Sequence, residues 1–146
     1  MYKKKVRIKD EGVIDMSYNL GRDDLFWRIG HEQTDKLLED IEKLESVDFL
    51  DESGRTYLHV ACTSYNLEVA KLLLQKGANP NCKDKNGKLP IMSAIGRINE
   101  KNPDFLRLFL EYGLDLNEIK NGMTLKETIE SFEDEELNAV INEFEK

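Results

Sequence analysis

The chain has 146 residues, of which 40% are hydrophobic and 34% are charged, and its formal net charge at pH 7 is −8. This length predicts one globular domain, and the longest aliphatic run, Leu72 to Leu74, is too short to cross a membrane. Because the N-terminus lacks the apolar segment of a secretory signal, we expect a cytoplasmic protein that does not contact membranes.

The N-terminal segment, residues 1–20, differs from the rest of the chain in its charge. Its first nine residues hold five basic side chains and no acidic one, interspersed with Val6 and Ile8. This pattern predicts an N-terminal arm or cap, which could include a short edge strand. The rest of the chain is acidic, which disfavours nucleic acid as a partner and favours the approach of a basic protein.

Residues 23–50 predict a first pair of short helices. The stretch "DDLFWRIGHEQTDKLLEDI" has two segments with apolar residues at helical spacing, separated by a polar break. We expect His31 in solvent at the end of the first segment. Trp27 has two open interpretations, because the pattern does not fix which way it faces: it packs into the N-terminal core, or it is exposed to a partner.

Residues 51–83 predict a clearer helical pair. "DESG" supplies turn residues, and Thr56 can cap a helix that begins at about Tyr57. The segment "LEVAKLLLQKG" predicts a second helix that ends before Gly77. The residues expected to face the core are Leu58, Ala61, Cys62, Leu67, Ala70, Leu73 and Leu74.

The same plan returns 33 residues later in the chain. Asp51 corresponds to Asp84 and Ala61 to Ala94, and Pro90 suits the first turn of the next helix. "PDFLRLFLEYG" predicts the partner helix, and a third turn follows at Asn121–Gly122. Two final helices are expected at 124–132 and 134–144. Eight acidic residues between positions 127 and 145 suit the outer face of a terminal cap.

Four stretches, "GRTYLHVA", "LLLQKGANPN", "NGKLPIMSA" and "FLEYGLDLN", resemble the ankyrin repeat, whose motif is a glycine turn followed by Thr-Pro-Leu-His-x-Ala. Tyr57 replaces the proline of this motif, and Leu89 and Met92 replace the threonine and histidine in the next unit. In the first unit, Arg28 falls where the family has a small residue. The residues that match are Thr56, Leu58, His59, Ala61, Pro90, Ile91 and Ala94.

The resemblance implies an all-α solenoid of helix-turn-helix units with short turn or hairpin loops. Its domain would cover residues 21–146, with units at about 23–50, 51–83, 84–120 and 121–146. It also implies that His59 is structural and bonds the backbone at the repeat turns. A concave protein-binding surface is implied as well, and its candidate residues are Glu52, Ser53, Arg55, Tyr57, Thr63, Ser64, Lys85, Asn86, Lys88 and Arg97.

Catalytic chemistry has little support in the sequence. There is no glycine-rich phosphate loop and no Ser/His/Asp order, and His59 has no nucleophile at a plausible spacing. The cysteines, Cys62 and Cys82, form no metal-binding motif. We therefore expect a monomer that is not an enzyme and needs no cofactor or metal.

Two binding roles remain open. One is a small inhibitor, similar to the ankyrin-type immunity proteins that bacteria make against toxins, in which the acidic body complements a basic toxin. The other is an adaptor that joins two cellular proteins. Small size and acidity favour the inhibitor.

Overall fold

The structure is a computed structural model that describes residues 16–145, with side-chain positions from residue 24 onward. Within that range the chain forms eight helices and one pair of short strands. In chain order they are α1 Met16–His31, α2 Asp35–Glu42, α3 Tyr57–Thr63, α4 Leu67–Gln75, α5 Pro90–Ile95, α6 Asn102–Glu111, β1 Ile119–Lys120, β2 Met123–Thr124, α7 Leu125–Glu130 and α8 Glu135–Glu145.

The helices stack as four successive pairs in two layers, which confirms the predicted all-α solenoid. In the first layer α3 packs against both α1 and α5. In the second layer α4 lies between α2 and α6, and α8 packs on α6. In the last three pairs the two helices also pack on each other, so each of these pairs buries its apolar face against its neighbours.

Small residues allow the first-layer helices to approach closely. Ala61 on α3 and Ala94 on α5 are both fully buried, at equivalent positions of their units. The second layer contributes large side chains such as Leu73, Phe105 and Phe109, which are also fully buried. Alternating small and large residues lets adjacent layers interdigitate without voids.

The predicted starts of α3 and α5 agree with the observed ones. Thr56 caps α3, and its side chain accepts a hydrogen bond from the backbone N–H of His59. Thr124 caps α7 in the same way, and Glu127 completes a reciprocal capping box. Pro90 opens α5, where the missing N–H has no helical partner.

Side chains also join neighbouring units through backbone groups. The Asn66 side-chain amide donates to the carbonyl of Glu32 at 3.1 Å. The Asn81 amide donates to the carbonyl of Gly113 at 3.0 Å and accepts from the N–H of Asp115 at 2.8 Å. These bonds satisfy loop backbone that would otherwise lack partners, and they fix one unit against the next.

The first unit differs from its prediction at its start. Helix α1 begins at Met16, so residues 16–20 of the predicted arm or cap belong to this helix. The rest of the predicted arm, including its basic residues, lies outside the described residues.

Helix α1 carries Arg28 and Trp27, and both side chains make specific contacts. Arg28, which stands where a small residue is usual, turns to the edge of the unit and bonds Glu32 and Asp40, each at 2.8 Å. It therefore links α1 to α2. Trp27 is 58% exposed and stacks on the ring of His31. Of the two interpretations of Trp27, the exposed one is therefore correct.

Candidate functional site

The turns that precede α3 and α5 have the same internal bonding. One carboxylate oxygen of Asp51 accepts from the N–H groups of Ser53 and Arg55, both at 2.9 Å. Asp84 accepts from the equivalent groups of Asn86 and Lys88, at 2.8 and 2.9 Å. Each aspartate thus folds its own turn into a fixed shape. Partial burial opposes ionisation of Asp84, but the N–H groups of Lys88 and Asn86 hold its pKa below the usual value.

The two turns stand directly side by side. The backbone N–H of Lys85 donates to the carbonyl of Ser53 at 3.0 Å. Gly54 makes this approach possible, because a Cβ there would meet the Lys85 nitrogen at 3.1 Å and the φ angle is +76°. The turns therefore form a row that is tied together through the backbone.

The His59 side chain on α3 forms hydrogen bonds at both turns. Its Nδ1 accepts from the N–H of Thr56 at 3.0 Å, and its Nε2 donates to the carbonyl of Lys88 at 2.9 Å. The ring is fully buried, and that burial lowers its pKa below the usual value. The predicted structural role of His59 is confirmed, and these bonds require the neutral ring protonated on Nε2.

We expect the free energy of unfolding to fall as pH decreases from about 6.5 to 5. The folded chain holds His59 neutral with a lowered pKa, whereas the unfolded chain protonates near the ordinary value, so acid favours the unfolded state. Urea denaturation at a series of pH values measures this. A His59→Leu variant should lose most of the dependence, and a His31→Asn variant, changed at an exposed histidine, should keep it. An equal dependence in the wild type and His59→Leu would contradict the assignment.

Most of the predicted interface residues lie together on the turns. The side chains of the tip residues are exposed and are not needed to hold the turn; they are Glu52, Ser53, Lys85, Asn86 and Lys88. Arg55 is half-buried, and its guanidinium pairs with Asp51 at 2.9 Å. The first two turns thus present a continuous polar surface.

Three predicted residues lie at the opposite ends of the short helices, about 10 Å from the turns at 1.5 Å per residue. Ser64 donates to the carbonyl of Ile29 at 3.2 Å. Arg97 donates to the carbonyl of Thr63 at 2.7 Å, and its guanidinium lies 4.8 Å from the centre of the Tyr65 ring. Ser64 and Arg97 therefore link neighbouring units, and Thr63 remains exposed beside them.

The expectation that Tyr57 faces a partner is wrong. Its side chain is 1% exposed, and its ring packs 4.5 Å from Phe26 and 5.9 Å from Phe49, measured between ring centres. Tyr57 occupies the first position of α3, where the stack of the first two units offers an apolar space for a large ring. Its role is in the core.

The third turn, predicted at Asn121–Gly122, carries exposed apolar residues that sequence reasoning missed. It is a hairpin of β1 and β2, in which Ile119 pairs with Thr124, and Asn121 and Gly122 both have positive φ, as a tight hairpin turn requires. Ile119 and Met123 are exposed on it, by 62% and 41%. Aligning Asn121 with Asn86 would have given a signal, since Ile119 then stands where Asp84 shapes the preceding turn.

Together, the turns at 51–55 and 84–88 and the hairpin at 119–124 form one surface, which we call the turn face. Its basic residues are Arg55, Lys85, Lys88 and Lys120. The side chains of Asp51 and Asp84 are hydrogen-bonded within their own turns, so Glu52 is the exposed acidic residue of the turn face. The acidic charge of the chain lies elsewhere: residues 125–145 hold eight acidic residues and one lysine.

Among residues 24–145, no group of His, Cys, Asp and Glu could hold a metal ion. Cys62 and Cys82 are both free, and burial raises the pKa of the Cys62 thiol. Among residues 16–145, no helix is long and apolar enough to span a bilayer.

Comparison with known proteins agrees with the fold. A family model described as ankyrin repeats (3 copies) matches residues 28–124. The chain is 31% identical over 115 residues to ankyrin repeat domain-containing protein 63 of Mus musculus, covering 74% of this chain and 29% of that protein. It is 39% identical over 64 residues to the probable 26S proteasome regulatory subunit p28 of Saccharomyces cerevisiae (42% and 28%). It is 37% identical over 71 residues to the human BCL-6 corepressor-like protein 1 (49% and 4%). The chain thus spans less than a third of each of these relatives.

Proposed function

The chain belongs to the ankyrin-repeat family, whose repeats bind other proteins, and from this premise we propose that the turn face is its protein-binding surface. The domain that carries it would cover residues 21–146. The observation that supports the proposal is the bonding of the turns. Aspartate side chains and the Lys85–Ser53 backbone bond hold them rigid, while the tip side chains stay exposed. A rigid surface loses little conformational entropy on binding.

Two roles are compatible with such a surface, and the placement of charge favours an adaptor. The turn face is basic, whereas the first and last units are acidic: residues 24–50 hold eight acidic and three basic residues. A molecule with two surfaces of opposite sign can hold two partners at once, each attracted by complementary charge. A corepressor-like protein and a proteasome regulatory subunit among the relatives are consistent with assembly roles.

The second candidate is a small inhibitor that binds and blocks a basic protein, such as a toxin, as an immunity protein does. The net charge of −8 supports it, because an acidic body attracts a basic partner. On this chain the complementary surface would be the acidic units and not the turn face. Its binding should be one to one and should weaken as salt rises.

Adding negative charge at the turn tips tests the proposal. The partner is captured with the full chain from the native cell, identified by mass spectrometry, and titrated by calorimetry. We expect Ser53→Glu with Lys85→Glu to weaken binding by about tenfold or more, because both side chains are exposed at the centre of the face.

The control for that experiment is Lys43→Glu with Lys71→Glu, which reverses two exposed lysines at the second-layer helices. It should leave the affinity unchanged. An affinity that the turn-tip variant also leaves unchanged would place the interface elsewhere. Native mass spectrometry then separates the roles: two partners bound at once indicate an adaptor, and a single basic partner indicates an inhibitor.

A further inference from the structure

An apolar cleft opens on the turn face between the third and fourth units. It lies between the turn at 84–88 and the hairpin at 119–124 and has a volume of about 160 Å³. Apolar side chains make most of its wall; the main ones are Leu89, Met92, Ile119, Met123 and Leu125. Ile119 and Met123 are exposed there, so the cleft presents apolar surface to solvent.

The cleft arises where the repeat motif changes. One unit earlier, His59 reaches the next turn through its bond to the Lys88 carbonyl. Met92 holds the position of His59 in the next unit, and Leu89 that of Thr56. A thioether has no N–H to donate to the backbone of the next turn. The histidine bond that joins adjacent turns is therefore missing here, and an apolar wall takes its place.

A large buried side chain in the last unit also keeps the cleft open. Ile129 on α7 is fully buried at the position where α3 and α5 have Ala61 and Ala94. The branched side chain of Ile129 prevents α7 from approaching α5 as closely as α5 approaches α3. Few residues of α7 therefore contact α5. The fourth unit is instead held through its second layer, where α8 packs on α6.

Basic side chains border the opening. Lys88 and Lys120 line the cleft and are exposed, and within residues 24–145 no carboxylate forms an ion pair with either. Lys83, which also lines it, already pairs with Glu118 at 2.8 Å. The cleft thus offers an apolar interior beside two lysines that are available for a carboxylate.

We propose that this cleft binds an extended segment of a partner protein through one large apolar side chain that is followed or preceded by acidic residues. The inference rests on the proposed function, and it names the kind of segment that the turn face recognises. An apolar cavity of about 150 Å³ accepts a benzene-sized group, so the cleft holds one aromatic or branched aliphatic side chain. Lys88 and Lys120 then pair with carboxylates beside that anchor.

The charge of the N-terminal segment disfavours one other occupant of the cleft. The basic residues at positions 3–9 would be repelled by the lysines at the opening. A second copy of the chain would have to bring its acidic last unit into the cleft, and this alternative gives a dimer that the experiment below detects.

The test is selection of peptides by the full chain. A random dodecapeptide phage library is panned against the wild-type protein, and enriched peptides are synthesised with a fluorescent label and titrated by anisotropy. We expect enriched sequences to combine a Phe, Leu, Ile or Trp with neighbouring Asp or Glu. Enrichment of basic sequences, or of none, would overturn the proposal.

Two variants locate the binding. Leu89→Thr with Met92→His restores the family motif and replaces the apolar wall with polar groups. This variant should bind the selected peptides with an affinity lower by about tenfold or more. Lys88→Glu with Lys120→Glu should lower the affinity for these peptides by a similar factor. Lys71→Glu, at an exposed position of α4 away from the cleft, should leave the affinity nearly unchanged. Thermal unfolding confirms that each variant is folded.

Two outcomes contradict the inference while leaving the turn face intact as an interface. One is selected peptides that bind the motif-restored variant as tightly as the wild type. The other is sedimentation that shows a dimer which the same variant abolishes, because a second copy would then occupy the cleft. By contrast, the Ser53→Glu and Lys85→Glu experiment uses residues outside the cleft, so it tests the proposed function separately.

Discussion

Replacing Ala61 by aspartate should destabilise the stack severely. Ala61 is fully buried where α3 packs between α1 and α5, so the carboxylate has no access to water and no cation beside it. An uncompensated buried charge costs roughly 3–5 kcal/mol, a large part of the total stability of a small domain. Urea denaturation followed by circular dichroism should show an unfolded or barely folded chain at pH 7.

The matched control is Ala139→Asp, the same substitution at an exposed position of α8. It should cost less than about 1 kcal/mol, which is the helix-propensity difference between the two residues. A free energy of unfolding for Ala61→Asp that equals the value for Ala139→Asp would contradict the packing of first-layer helices through small residues.

Replacing His59 by leucine should have the second largest effect on stability. The substitution removes the bonds to the Thr56 N–H and the Lys88 carbonyl. The Lys88 carbonyl keeps its bond from the Asp84 N–H at 3.0 Å, so the Thr56 N–H, on a buried residue, is the group left without its partner. An unsatisfied buried group costs about 1–3 kcal/mol. We expect a loss of roughly 1–3 kcal/mol by urea denaturation, together with faster amide exchange in the turns at 51–55 and 84–88.

Met92→Leu is the control for this variant, because Met92 holds the same position in the next unit. A volume-conserving apolar exchange costs less than about 1.5 kcal/mol. Similar losses for His59→Leu and Met92→Leu would mean that the histidine acts only by filling space. A loss confined to His59→Leu would show that its hydrogen bonds hold the turns together.

The regular parts of the fold could be predicted because they depend on local patterns. Thr56 capped the predicted helix, Pro90 opened the next one, and Ala61 and Ala94 fell at equivalent positions one repeat apart. Each of these features depends on a residue's own conformational preference or on helical spacing. Repetition then places the pairs side by side, since one pair cannot bury its apolar face alone.

Features that depend on contacts between units could not be predicted in this way. Tyr57 was expected to face a partner because it lies beside the candidate interface residues in sequence and tyrosine is common at interfaces, yet Phe26 and Phe49, from the unit before, enclose its ring. The cleft arises from Met92 in one unit and Ile129 in the next. Neither residue alone shows that a groove exists, because its shape depends on the distance between two helices.

The separation of charge changes how the acidity of the chain should be understood. The sequence alone suggests a uniformly acidic molecule that attracts basic partners. In the structure the turn face carries Lys85, Lys88 and Lys120, while the acids gather in the first and last units. Partners of opposite charge can therefore use different surfaces of the same small domain, and salt dependence measured for one surface need not apply to the other.

Hydrogen–deuterium exchange of the full chain, with and without its captured partner, tests the central claim most directly. If the turn face is the interface, binding should slow exchange at 51–55, 84–88 and 119–124 and leave the second-layer helices α2, α4 and α6 unchanged. Protection confined to those second-layer helices, with no change in the three turns, would contradict the account.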